Sequence, residues 1–291
     1  MAAGRARQIS GNVSPRQVAD ALGVSESSVK RWSDQGLMAT AKTAGGHRKL
    51  VLADVLRFVR EQGYDIGKPE SLGLPARLPR AIEEAETRAQ LVAALVDGDA
   101  ETARRLVIGM FVRGVPLVEL FDRVLGPAVR ELGDRWEHGS VRVFEEHRAI
   151  VVVQRTLQDL RGLIARRAGR RPIALLATLS GDPYTVAVTM AELTLIELGW
   201  AATNLGPDTP AFSVIEAIAE IRPRVLGIGI NAVLDLDAFA TAYAAITDAA
   251  RTHRTAVVVG GPALTTELRA RIHYAACCAG MRELGDFCTS L

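Results

Sequence analysis

The sequence predicts a multidomain chain, part α and part α/β. Three observations predict it. From Arg171 onward, short apolar runs alternate with helical patterns, which implies a doubly wound parallel sheet. Before them, four long helical patterns follow one another across short connections, which implies an antiparallel four-helix bundle. Ahead of both, two short helical patterns flank a glycine-containing turn, the sign of a helix-turn-helix. The 291 residues therefore divide into a head (1–68), a linker (69–79), a bundle (80–168) and a sheet domain (169–291).

Composition narrows the class. Hydrophobic residues make up 48% of the chain, enough for packed cores, yet no run reaches the roughly 18 uninterrupted apolar residues of a membrane span. Met1–Ser10 lacks the apolar core of a secretory signal, so the expected location is cytoplasmic, with no membrane partner. Cys277, Cys278 and Cys288 form no C-x-x-C pair and are odd in number, which argues against a disulfide framework. Net charge is only +2, unevenly placed: residues 1–80 carry 13 Lys/Arg against 7 Asp/Glu, and the remainder 22 against 26. A basic head on an acidic body points to an anionic partner for the head alone.

In the head, Ser14 and Pro15 suit a helix start, and the helix breaks at Leu22-Gly23-Val24. Ser25 caps a second helix, Glu26–Ser33. Val18, Leu22, Val24, Val29 and Trp32 would pack the pair, and Ser27, Ser28, Lys30 and Arg31 offer groups suited to base edges and phosphates. Thr43–Leu50 reads as a hairpin with Gly45-Gly46 at its tip and His47, Arg48 and Lys49 on the return, followed by a helix over Ala53–Gln62. Val13–Gln62 resembles the winged helix-turn-helix of the MerR family. That resemblance implies double-stranded operator DNA as partner. Gly63–Pro79 is dense in Gly and Pro and reads as a linker that frees the head from the body.

The bundle helices are expected over Arg80–Val96, Ala100–Arg113, Leu117–Trp136 and Arg142–Arg167, with a kink at Gly126-Pro127. In the fourth, Val143, Phe144, His147, Ile150 and Val151 form an apolar stripe. A histidine on such a stripe is either a satisfied core residue or a ligand-facing one. In the sheet domain, strands are expected over Ile173–Ala177, Ala201–Asn204, Val225–Ile230 and Ala256–Val259, with a short fifth near Tyr274–Cys278, in a flavodoxin-like arrangement. The loop Thr178–Ala187 sits at the carboxyl edge of the sheet, where such folds bind ligands.

Two motifs carry a closer resemblance. Trp136, nine residues, then Glu146-His147 resembles the Trp-x9-Glu-His signature of light-responsive cobalamin-binding repressors, the CarH/LitR family. Asp182-Pro183-Tyr184-Thr185-Val186-Ala187 is similar to the Asp-x-His-x-x-Gly cobalamin loop, with Tyr184 where the cobalt-ligating His belongs and Ala187 for the Gly. Leu205–Pro210 and Val258–Pro262 also match, and Gly260-Gly261 lets a backbone approach a flat ligand closely. The family's Ser-x-Leu is replaced by Gly229-Ile230-Asn231.

The resemblance implies adenosylcobalamin or a relative, with Trp136, Val143, Glu146 and His147 at its upper face, His147 as a candidate axial ligand, and Asp182, Tyr184, Gly260 and Gly261 below. Asp182 keeps its spacing from position 184 and is expected to be placed to orient a ring there. A phenol, with a reference pKa of about 10, is a poor metal ligand at neutral pH. Three occupants stay open: cobalamin with its own base on cobalt, another tetrapyrrole such as haem or bilin, or none. The implied function is a repressor, not an enzyme, whose homo-oligomer (dimer or tetramer) and operator binding respond to the ligand and to light. The alternatives are a ligand-free regulator acting through protein contacts and a corrinoid-dependent enzyme component.

Overall fold

A computed structural model describes residues 11–42, 48–75, 83–165 and 169–291 and falls into two units, Met1–Arg166 and Arg167–Leu291. The first begins with β1 (Asn12–Val13), α1 (Pro15–Leu22), α2 (Glu26–Asp34), β2 (Thr40–Lys42), β3 (Arg48–Val51) and α3 (Leu52–Gln62). Ser14 closes a capping box with Gln17, and Ser25 Oγ accepts from the Ser28 N–H at 3.1 Å. These side chains satisfy N–H groups that a helix start leaves open. β1 and β2 both pair antiparallel with β3. Val18, Val29, Leu50 and Val55 are fully buried. The rings of Trp32, Phe58 and Tyr64 gather with centroids 4.9–5.8 Å apart. The hairpin tip, with His47, lies outside the described residues.

The breaker-rich stretch departs from expectation. Pro69–Leu72 forms a 3-10 turn, and Leu72 and Leu74 are buried. Asp20 of α1 holds it from outside, accepting from Lys68 Nζ at 2.8 Å and Ser71 Oγ at 2.5 Å. Gln17 Nε2 donates to the Ser71 carbonyl at 3.0 Å. Gly and Pro here shape a turn whose leucines bury themselves, so the expected linker begins as part of the head.

The bundle comprises α4 (Glu84–Asp97), α5 (Ala100–Val112), α6 (Leu117–Leu120), a π turn (Phe121–Leu125), α7 (Gly126–Glu137) and α8 (Val143–Leu163). The irregularity expected at Gly126-Pro127 is the π turn just before it. Pro127 has no N–H to give, and the Gly126 N–H reaches back to the Phe121 carbonyl. A Cβ at Gly126 would lie 2.7 Å from that oxygen, so the turn requires glycine. α8 buries Ala149, Val152, Val153, Thr156, Leu157, Leu160 and Leu163. Arg104 of α5 pairs with Asp159 of α8 at 2.6 Å, largely out of solvent. The head rests on this bundle: the Arg60 guanidinium of α3 lies 4.0 Å from the Phe111 ring centroid of α5.

The second unit runs β4 (Ile173–Thr178), α9 (Val186–Glu197), β5 (Ala201–Asn204), α10 (Ala211–Ile221), β6 (Val225–Gly229), α11 (Leu236–Thr252), β7 (Ala256–Gly260), α12 (Thr266–Arg271), β8 (Ala276–Cys277) and α13 (Met281–Ser290). The strands are parallel in the order β5-β4-β6-β7-β8, the flavodoxin-like order. Alternate residues face opposite layers. Ala174, Leu176, Val225 and Val258 pack with α9 and α13, and Leu175, Ala177, Leu226, Ile228, Val257 and Val259 with α10, α11 and α12. Cys278 and Cys288 belong to the first layer, where burial pushes their thiols up to about 11 and about 12. Such thiols are inert packing groups at neutral pH.

The Gly260-Gly261 pair, read as an approach to a ligand, has its reason inside the fold. A Cβ at Gly260 would stand 2.7 Å from the Cys278 carbonyl oxygen, and one at Gly261 2.3 Å from that of Ile230. Gly261 also has φ +126. Gly261→Ala is therefore expected to destabilise the sheet unit by at least about 2 kcal/mol, read as a lower denaturant midpoint; an unchanged midpoint would show that the close approach is not required.

Candidate functional site

The residues singled out above fall into three groups. On the bundle, α7 and α8 form a hairpin whose connection brings the end of one helix beside the start of the other. Trp136, at that end of α7, is 43% exposed, and Val143 and Phe144, at the start of α8, are more exposed still. The His147 side chain is 75% exposed, with Nε2 3.7 Å from Glu146 Oε2. The apolar stripe of α8 thus points away from the bundle core, and a satisfied core histidine is excluded. The start of α8 is held by its own side chains. Glu145 accepts from both the backbone and the guanidinium of Arg142, the guanidinium bond foremost in holding its carboxyl down at about 2. The Arg142 guanidinium also lies 4.4 Å from the Phe144 ring centroid. Arg148 Nη2 donates to the Val96 carbonyl at 2.6 Å, tying α8 to the end of α4.

In the head, Ser27, Ser28, Lys30 and Arg31 lie on α2. Ser27, Lys30 and Arg31 are exposed, and Ser28 is half-buried. The hydroxyls of Ser27 and Ser28 both bond Ser25 Oγ, at 2.8 and 2.9 Å. Lys30 pairs with Glu26 at 2.9 Å. Arg48, expected to face DNA, pairs with Asp34 at the end of α2 at 2.6 Å. It ties the strand to the helix. Lys49 is half-buried on β3, opposite Ala41.

The loop after β4 is built on Asp182, which is 2% exposed. Its Oδ1 accepts from the Tyr184 N–H at 3.1 Å, an Asx turn. Its Oδ2 accepts from the N–H groups of Asn231 at 2.6 Å and Ala232 at 3.3 Å. Asn231 Nδ2 lies 3.2 Å from Oδ2, 3.5 Å from Oδ1 and 3.4 Å from the Tyr184 carbonyl oxygen. The expectation that Asp182 stands ready to orient a ring at position 184 is therefore corrected: its carboxylate is engaged with the loop after β6. The Tyr184 side chain is 55% exposed. Leu234, 86% exposed, lies beside the same loop, its Cδ1 3.1 Å from where a Cβ on Gly181 would stand.

Sequence reasoning missed Asn231, Asp34 and Leu234 as participants. A polar residue just past the carboxyl end of a central strand was the available signal for Asn231; the pairing of Asp34 and the exposure of Leu234 had none. Among the described residues no group of three or more His, Cys, Asp or Glu could hold a metal ion, and no helix is long and apolar enough to cross a membrane. The exposed aromatic, aliphatic and imidazole groups of the bundle surface suit the flat, partly apolar face of a corrinoid; the Asp182 loop carries an aromatic ring where the resembled loop has an imidazole.

Residues 87–160 match the B12 binding domain family. This stretch spans α4, α5 and α7 and most of α8, including Trp136, Val143, Glu146 and His147. Over a longer span the chain is similar to the HTH-type transcriptional repressor CarH of Myxococcus xanthus, 27% identical over 282 residues, 89% of this chain and 90% of that one. It is also similar to the repressor CarA of the same organism, 27% identical over 224 residues, 73% and 74% of the two chains. In fold it is like the monomethylamine corrinoid protein of Methanosarcina barkeri, with a TM-score of 0.61 at 14% identity, covering 71% of this chain and 99% of that one. The cofactor these findings support is cobalamin.

Asp182 offers a direct check of the loop. Asp182→Ala strips the acceptor from three backbone N–H groups and is expected to cost about 3 kcal/mol or more, measured by chemical denaturation. A loss below about 1 kcal/mol would mean that water replaces the carboxylate without penalty.

Proposed function

We propose that this chain is a DNA-binding transcriptional regulator, a repressor, whose self-assembly and operator binding are set by cobalamin and by light. The observation that carries the reading is the exposed set Trp136, Val143 and His147, with half-buried Glu146 beside His147, on one hairpin of the B12 binding domain match. Similarity to two repressors over most of the chain supports the regulatory part. In this reading Trp136 and Val143 would form an apolar wall against the ligand, Glu146 would neighbour His147, and His147 would offer an imidazole to its metal. Cobalamin, when bound, supplies a coloured metal centre with a light-sensitive upper face. The chain's residues hold and shield that face and carry no catalytic step.

The head works as a winged helix-turn-helix of MerR type, with α2 as recognition helix and β2–β3 as wing. Ser27, Ser28 and Arg31 face the operator, with His47 and Lys49 from the wing. Arg48 braces α2 through Asp34 as well as adding charge. Arg31→Ala should weaken operator binding and lower the salt slope by about one unit, in mobility-shift titrations over a range of salt. Asp34→Ala should weaken binding too, by freeing the end of α2. If both variants bind as the parent does, the head is not the DNA-reading element.

A ligand-free regulator is the second reading, favoured by the tyrosine at position 184. Absorption after gel filtration separates the two. Protein incubated in the dark with adenosylcobalamin is expected to elute coloured, and its operator complex to change on illumination. Colourless protein with an unchanged operator complex would leave the ligand-free reading in place.

A further inference from the structure

We infer that Asn231 is a positioning residue that engages the carboxylate of Asp182, so that the sheet unit offers a corrinoid no axial nitrogen. The inference deepens the cobalamin reading above and rests on it. For an imidazole at position 184 to act as a cobalt ligand, Asp182 would have to accept from its second nitrogen. In this chain the Asn231 side-chain amide already lies against that carboxylate. It lies within 3.2–3.5 Å of both carboxylate oxygens and 3.4 Å from the Tyr184 carbonyl oxygen. The backbone N–H groups of Asn231 and Ala232 draw Oδ2 toward β6, away from position 184.

The rest of the loop is fixed in the same sense. Thr178 Oγ1, fully buried, donates to the Asp182 carbonyl at 2.6 Å. The Asp208 N–H donates to that same carbonyl at 3.1 Å, and Asp208 Oδ1 accepts from the Gly181 N–H at 2.7 Å. Three crossover loops are thereby joined through one buried carboxylate and its own peptide. Exposed beside them are the Tyr184 ring and the Leu234 side chain, together with Ser180 and Asp208. A phenol and an isobutyl group cannot supply a nitrogen to a corrinoid's metal. A corrinoid held here would have only its own base as a nitrogen donor on this side. Substituting Tyr184 by His alone then leaves the imidazole without its orienting partner, and the ligand's own base stays in place.

The test uses the full chain, uniformly labelled with 15N, loaded with unlabelled cobalamin and reduced to the paramagnetic Co(II) form. The superhyperfine pattern in electron paramagnetic resonance identifies the axial nitrogen, a triplet for the ligand's own base and a doublet for a protein nitrogen. The parent and Tyr184→His are expected to give a triplet, and Tyr184→His with Asn231→Ala a doublet. A parent doublet that persists in His147→Ala, or a doublet in Tyr184→His alone, overturns the inference; so does a triplet in the double variant. If no protein binds cobalamin, the cobalamin reading fails, and ligand-free hydrogen exchange decides the role of Asn231 separately. Asn231→Ala should speed exchange of the Tyr184 amide about tenfold, as expected for loss of a hydrogen bond in a charged network; unchanged exchange overturns the positioning role.

Discussion

A buried carboxylate in a sheet-edge loop has few stable options. It must be paired, or its N–H donors must come from the backbone. Asp182 takes the second course, and the carboxyl edge of the sheet depends on it. One oxygen fixes the turn that leads into α9, and the other fixes the start of the loop after β6. The loop after β5 joins through Asp208 and Thr178. The positions of Tyr184, Asn231 and Leu234 follow from that single group. A carboxylate engaged in this way preorganises a surface, where in the resembled cobalamin loop it would orient a metal ligand.

The bundle surface has a different origin. The start of α8 is fixed by Arg142 with Glu145, and Arg148 ties it to the end of α4. Val143, Phe144 and His147 are therefore held out to solvent. Apolar side chains held in the open are a standing cost to a lone domain and suit a surface that a large, partly apolar ligand covers. That both a histidine and a tryptophan accompany them accords with the B12 binding domain match over the same helices.

Much of the architecture was legible in the sequence. The period of the apolar residues gave the strand and helix succession of the sheet unit, since β4, β6 and β7 are buried on both faces and read as short apolar runs. What was not legible is the use of polar groups across long separations. Asp182 and Asn231 stand 49 residues apart, and Arg48 and Asp34 meet across the β2–β3 connection. Neither pairing leaves a local pattern. The stripe of α8 was correctly periodic, but periodicity cannot say which of two faces meets the core; Ala149, Val152 and Val153 won that place. The stretch after α3 misled for a related reason: glycine and proline report that the chain turns, and only Leu72 and Leu74 report where it settles.

The docking of Pro69–Leu72 on α1 and of Arg60 on Phe111 bears on what kind of ruler the head can be. A head on a leash samples DNA independently of its body, and two leashed heads accept targets at many separations. A head buttressed by its own bundle is a fixed arm. If two such arms assemble on DNA as proposed, the distance between their α2 helices would be set by how the bodies join, and only half-sites whose phase on the double helix matches that distance would be read together. Target choice would then lie as much in the geometry of the assembled bodies as in the side chains of α2.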